Sequence, residues 1–331
     1  MSRGYWRSVQ EEVNEALDAA EERGMCLCVK SDRTRKLLER RMASGIVVAP
    51  FPRVYARTAY WKSLSPSAQS LHVIRAVAAL HPSWAFCATS AAIAHGLQVS
   101  EPDPSVVHIL DTKGGNGHGG KHVVRHPARP EHGENCEVVA GVRVVPLDRA
   151  IADCLRMLPM PTGLAVADSA LRDYGLSRED LARFVHACPH ARGSRRALQT
   201  IRLADGRSEN GGESVVRGII IELGFCVPEL QVLVDDPACP GREYRIDYVW
   251  DTGTGRPIFG ELDGAAKYVD RSGVGGGVGK GVSGRALLAE RRRESRLTLY
   301  DAAIVRFSFE EAKNRPFFKA LLERYGVPRR G

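Results

Sequence analysis

Apolar residues at helical spacing open the chain. Trp6, Val9, Val13 and Leu17 recur every three or four positions, which predicts an amphipathic helix over residues 5–22. Ser31 stands where an N-cap would start a second helix carrying Leu37, Leu38 and Met42, with Gly45 as its stop. Two short strand-like runs follow at 46–49 and 53–56, joined by Pro50-Phe51-Pro52. Helices followed by a tight ribbon predict a small winged helix-turn-helix over residues 1–60.

From 61 to 206 the pattern is mixed and shows no internal repeat. Helical spacing marks 67–80, 88–95, 147–157, 163–174, 178–186 and 193–204, while 106–110, 122–126 and 138–145 read as strands. The last part, 207–331, begins with a helix over 214–223 whose Val215, Val216, Ile219, Ile220 and Leu223 form a buried face ended by Gly224. Strands are expected at 229–234, 244–250 and 257–262, then a charged helix over 285–299, a strand at 303–307 and a final helix over 309–325. That order predicts a mixed sheet flanked by helices.

Bulk properties narrow the class. At 331 residues with 44% hydrophobic content, two or three packed domains are expected. No window approaches the ~20 apolar residues that span a bilayer, and residues 1–13 lack the apolar core of a signal peptide. A cytoplasmic protein with no membrane partner is therefore expected. The eight cysteines include no C-x-x-C pair, so they read as reduced thiols rather than zinc ligands. The net charge of +8 leans toward an anionic partner. Lys30, Arg33, Arg35, Lys36 and Arg40 (with Arg41) lie on or beside the second helix, where a DNA reader would place phosphate contacts. A mixed-charge solvated face is the competing reading, because Asp32 and Glu39 are interspersed.

The candidate chemistry lies near the C-terminal end. Strand alternation puts Glu261 and Asp263 on one side and turns Leu262 into the fold. With Asp247 on the preceding strand and Glu213 in the first turn of the helix before it, four carboxylates are expected close together. Such a set repels itself unless a cation sits among its members, and oxygen ligands suit a hard ion such as Mg2+ or Mn2+. Lys267 would then offset charge that builds on a phosphodiester. Two other patterns carry less. Gly275 to Gly281 lacks the spacing of a phosphate-binding loop and the hydroxyl after Lys280. His118, His122 and His126 sit four apart but in glycine-rich surroundings, and read as exposed loop histidines.

The residues Arg207-Ser208-Glu209, Gly212-Glu213-Ser214, Arg217, Gly224, Pro228, Gln231, Arg245-Ile246-Asp247, Glu261-Leu262-Asp263-Gly264, Lys267-Tyr268, Glu290 to Glu294, Leu297 and Val305-Arg306 resemble a very-short-patch-repair-like domain common in actinobacteria. That family is similar to the PD-(D/E)XK restriction-endonuclease fold. The resemblance implies Asp247 and Glu261 as metal ligands, Glu213 as the acid of the first helix, and Glu290 and Arg293 as further site residues, with Arg245 beside them facing DNA. The chain departs from the active pattern by carrying Asp263 where Glu-x-Lys is usual, so Lys267 is expected to replace the missing lysine. The N-terminal helices and ribbon, Ser90-Ala91-Ala92, His95-Gly96-Leu97 and Val144 to Arg149 with Asp153 resemble AbiEi-type antitoxins of type IV toxin–antitoxin systems. This implies operator binding by the winged helix and a middle domain opposing a nucleotidyltransferase toxin. The expected class is thus a multidomain α/β protein with winged-helix, α/β antitoxin-like and endonuclease-like parts at 1–60, 61–206 and 207–331. Two functions follow: a DNA endonuclease, or a non-enzymatic repressor that kept the nuclease fold.

Overall fold

The computed structural model describes residues 3–112, 120–128, 135–187, 192–239, 241–253, 255–263, 295–297 and 299–330, with side chains from residue 9 onward in the first helix. The described chain is mixed α/β, with sheets of three, four, two and two strands. It separates into two compact units, Met1–Pro159 with Asp173–Arg202 and Met160–Arg172 with Leu203–Gly331. Residues 160–172, read in sequence as part of the middle segment, therefore pack with the C-terminal unit.

The first unit starts with α1 (Arg3–Glu22), β1 (Leu27–Cys28), α2 (Asp32–Ala43), β2 (Val47–Phe51) and β3 (Val54–Arg57). The strands form an antiparallel sheet of order β1-β3-β2. Val9, Val13 and Leu17 of α1 close on Leu37, Leu38, Val47 and Tyr55, so the helical spacing in the sequence marks the buried face. Ser31 holds the N-cap position of α2 with extended backbone, yet its side chain makes no capping bond. Pro50 and Phe51, expected as a connector, lie within β2, and the turn falls at 52–53 with Arg53 at φ 63°.

Then come α3 (Thr58–Ser63), α4 (Pro66–Leu80), α5 (Ala88–Ala94), the parallel pair β4 (Val107–Asp111) and β5 (Val123–Pro127), and the hairpin β6 (Glu137–Val139) and β7 (Val142–Val144). The single strand expected over 138–145 is thus two. Ala140 and Gly141, at φ 52° and 82°, make a turn with both central residues left-handed, which suits a two-residue hairpin loop. Buried Phe86 bridges both ribbons, pairing with Ile109 and with Val144. Helices α6 (Leu147–Met157), α7 (Met160–Tyr174), α8 (Arg178–His186) and α9 (Ser194–Leu203) follow, most of α7 lying in the second unit.

The second unit adds α10 (Gly211–Glu222), β8 (Glu229–Asp235), β9 (Glu243–Trp250), β10 (Ile258–Asp263), β11 (Ala303–Ser308), α11 (Phe309–Lys313) and α12 (Arg315–Arg324). The sheet order is β11-β10-β9-β8, with β10 and β11 parallel and the other pairs antiparallel, so the mixed sheet expected from sequence is present. Val216 and Ile220 of α10 pack on Tyr248, Trp250, Phe307 and Phe318. The final helix expected over 309–325 is broken at Asn314, whose ψ of 80° ends α11 and whose side chain accepts the Phe317 N–H to start α12. Pro316 in that first turn is the residue that cannot continue the preceding helix. Of the charged helix expected over 285–299, only Ser295 to Leu297 lie among the described helical residues.

Candidate active site in the C-terminal unit

Helix α10 begins three residues earlier than its apolar spacing suggests, because Asn210 caps it. The Asn210 side chain accepts the Glu213 N–H at 3.1 Å and donates to Glu213 Oε1 at 2.7 Å. Glu213 Oε2 takes the Glu209 N–H at 2.7 Å and Gln231 Nε2 at 3.0 Å. The buried phenol of Tyr248 donates to the Glu213 carbonyl at 3.0 Å, fastening the first turn of α10 to β9. Glu213 is only 5% exposed. Burial pushes its carboxyl up to about 7, the negative charges of Asp247 and Glu209 push the same way, and the Glu209 and Gln231 hydrogen bonds oppose them.

Asp247 sits where two strands part. The ladder between β9 and β10 ends at Tyr248 opposite Gly260. Beyond it, Asp247 Oδ2 accepts the Leu262 N–H at 2.9 Å, so a carboxylate takes the place of the next backbone rung. Along β9, Tyr248 and Trp250 belong to the core under α10, whereas Tyr244 and Ile246 join Phe259 and Leu297 in a separate cluster. The strand thus changes the core it serves as it passes Asp247. The facing position on β8, Gln231, has φ 54°, a left-handed conformation that a side chain of this size adopts only at some cost. Its Oε1 is buried and meets no donor.

Glu261 adjoins this point, 7% exposed, between Gly260 and the Leu262 amide that Asp247 holds. A Cβ at Gly260 would stand 2.9 Å from the Trp250 ring and 3.1 Å from Tyr248 Cβ, so glycine here lets β10 lie close to β9 just before the acid. Leu262 packs on the main core as its alternation predicts. Asp263 forms a 2.6 Å ion pair with Arg306 of β11, which neutralises it within the sheet. Arg245 is half exposed and paired with Glu209. Lys267, Glu290 and Arg293 lie outside the described residues.

The structure therefore brings Glu213, Asp247 and Glu261 to one end of β9 and β10, with Asp263 one step along and matched to an arginine. Among the described residues no three acidic, histidine or cysteine side chains stand close enough to hold an ion as they are. The donor set nevertheless suits a hard cation. Glu213 and Asp247, whose charges oppose one another, Glu261 next along β10 and an amide oxygen that lacks a donor offer oxygen ligands of the kind Mg2+ and Mn2+ take. Sequence reading assigns no role to Asn210, Gln231, Tyr248 and Arg306 in this arrangement, although Gln231 and Arg306 are among the residues that carry the family resemblance. Only Asn210 left a local signal, the Asn-x-x-Glu spacing of a reciprocal helix cap.

The basic set at the other end of the chain is laid out on α2. Lys30, Arg33, Lys36 and Arg40 are exposed, and Arg33, Lys36 and Arg40 follow one line of the helix at i, i+3 and i+7. Arg35 lies on another line, bonded to Asp32 at 3.2 Å and to Glu39 at 2.7 Å. Both readings of the helix thus have a place on it, a line of exposed basic side chains beside an arginine bonded to two acids.

A search against protein-family models finds no match for this chain. Two curated relatives from Mycobacterium tuberculosis are similar to part of it: "Uncharacterized protein MT2308" of strain CDC 1551 / Oshkosh and "Uncharacterized protein Rv2248" of strain ATCC 25618 / H37Rv. Each is 34% identical over 95 residues, which is 29% of this chain. The match spans about a third of either relative's own length, 34%.

Proposed function

We propose that the chain is a DNA-associated protein whose C-terminal unit is an endonuclease-like module. The observation that carries this reading is the gathering of Glu213, Asp247 and Glu261 at the point where β9 and β10 separate, beside the orphaned oxygen of Gln231. Glu213, Asp247 and Glu261 would hold Mg2+ or Mn2+, and the ion when bound would supply the Lewis acidity that phosphodiester hydrolysis needs. Within the protein, Tyr248 and Asn210 fix the height and orientation of Glu213, and the Asp247–Leu262 bond fixes Asp247 against Glu261. Arg306 removes the charge of Asp263 from the set, and Lys267 is assigned the stabilising role of the usual lysine. The exposed stripe of α2 would supply phosphate contacts.

A second reading has its own support. Glu213 already accepts three hydrogen bonds and Asp263 is ion-paired, as in a fold kept for shape rather than chemistry. In that case the chain is an antitoxin-like repressor that binds DNA, with a nucleotidyltransferase as the partner it opposes. Nicking of supercoiled plasmid in Mn2+ separates the two. The nuclease reading expects nicking by the wild type and its loss, by about a hundredfold or more, in Asp247→Ala and Glu261→Gln. Equal residual nicking by all three proteins would remove the nuclease reading and leave the repressor.

A further inference from the structure

A different group of charged side chains converges in the first unit, on residues that the nuclease-like reading does not use. A cavity of about 690 Å3 is lined by Ala88, His126, Asp153, Arg156, Arg192 and Arg196 among others. Its volume lies in the roughly 300–1,000 Å3 range of small-molecule sites.

Arg156 is the anchor. It is 8% exposed, and its Nη2 donates to Asp153 Oδ1 at 2.7 Å, but its Nη1 is buried and reaches no acceptor. A buried guanidinium nitrogen without a partner is costly, and an anion is the ligand that relieves it. Asp153 is not free to fill that role, because its other oxygen takes Arg149 Nε at 2.9 Å. Arg196 is held in place by its own bonds, donating to the Arg156 carbonyl at 2.7 Å. Gly193 explains how Arg192 comes so near. At φ 89° it lies against the end of α6, where a Cβ would stand 2.2 Å from the Arg156 carbonyl oxygen. Helix α9 starts at the next residue, Ser194, so the positive end of its dipole adds to the same field.

Within the same lining, His126 Nε2 lies 2.9 Å from His108 Nδ1, and burial holds both imidazoles toward their neutral forms. His126, the one of the two that lines the cavity, thus adds no further positive charge. The lining arginines exceed the single lining carboxylate by two charges, which matches a phosphate dianion better than a carboxylate.

We propose that this cavity binds a phosphate ester or phosphoanhydride of nucleotide size, gripped by Arg156, Arg192 and Arg196. The inference does not depend on the C-terminal reading, since none of its residues belongs to that unit.

The test is isothermal titration of the full chain with inorganic pyrophosphate and, separately, with ADP. Saturable one-site binding is expected, weakened about tenfold in Arg192→Ala and in Arg196→Ala. Arg195→Ala should bind as the wild type does, because Arg195 is an exposed neighbour that is not among the lining residues. Arg156→Lys keeps a cation for Asp153 while removing the planar fork, so it should lose affinity and keep its melting temperature. Equal affinity for both probes identifies the phosphates alone as the ligand, and tighter ADP binding a nucleoside-bearing one. No saturable binding of either probe, or the same loss in Arg195→Ala as in Arg192→Ala, overturns the proposal.

Discussion

Glu213 and His108 are held on opposite sides of their ordinary ionisation, and the difference sets two opposed pH dependences. Burial raises the Glu213 carboxyl from 4.5 to about 7. The unfolded chain gives up that proton first, so the C-terminal unit loses stability as pH rises from 4.5 to about 7, by at most about 3 kcal/mol. His108 moves the other way, from 6.5 to about 4, through burial and the neighbouring His126. Here the unfolded chain takes up the proton first, so the first unit loses up to about 3 kcal/mol as pH falls from 6.5 to about 4. Urea denaturation between pH 4 and 8 reads both. His108→Asn should flatten the acid side and Glu213→Gln the neutral side, and an unaltered profile in either variant contradicts the account. A cation beside Glu213 favours its charged form, so 10 mM-range Mg2+, roughly, should lower its titration midpoint in carboxyl carbon NMR spectra. Asp247 and Glu261 were legible as candidates because acids are rare in otherwise apolar strands. Glu213 was legible because its helix comes just before those strands, not because it is a first-turn acid, which the helix dipole favours anywhere. Gln231 was visible only as one residue of the family resemblance, since its part here lies in a left-handed backbone and a missing donor, neither of which a sequence displays.

Between elements, the joint of α7 and α10 holds one buried ion pair amid apolar contacts. Arg217 and Asp168, 1% and 0% exposed, meet at 2.7 Å, and Asp168 also accepts the Asp205 N–H at 2.7 Å. Removing one partner strands the other charge in the core. Arg217→Met should therefore cost about 3–5 kcal/mol, and adding Asp168→Leu should restore part of that. A double variant no more stable than Arg217→Met would show that the pair is not what holds the joint. Gly218 lies next to this contact, and a Cβ there would sit 2.5 Å from Pro161 Cα, so Gly218→Ala should cost about 1–3 kcal/mol by forcing the helices apart. The sequence offered most helices and strands because their spacing follows the faces they bury. It hid this joint, since an aspartate directly after Leu164-Ala165-Val166-Ala167 gives no sign of which arginine answers it. It also hid the turn at Ala140-Gly141 and the change of core at Asp247, where conformation rather than hydropathy decides.

For the whole chain, the net charge of +8 matters less than where its exposed part is arranged. Arg35 is tied to Asp32 and Glu39, and Arg33, Lys36 and Arg40 follow one exposed line of α2. If that line meets DNA phosphates, each contact releases counterions and steepens the fall of affinity with salt by roughly 0.9 in the logarithmic slope. Replacing Arg33, Lys36 and Arg40 together with alanine should then reduce the slope by about 2.7 in duplex-binding titrations followed by fluorescence anisotropy. Asp247→Ala removes a carboxylate from the other unit and leaves this stripe intact, so its slope should match the wild type while its nicking is lost. The comparison assigns the two properties to different ends of the chain, because a nuclease needs both and a repressor only the first. A triple variant whose salt slope equals that of the wild type would place the phosphate contacts elsewhere, and the mixed-charge face of α2 would then be no more than a solvated surface.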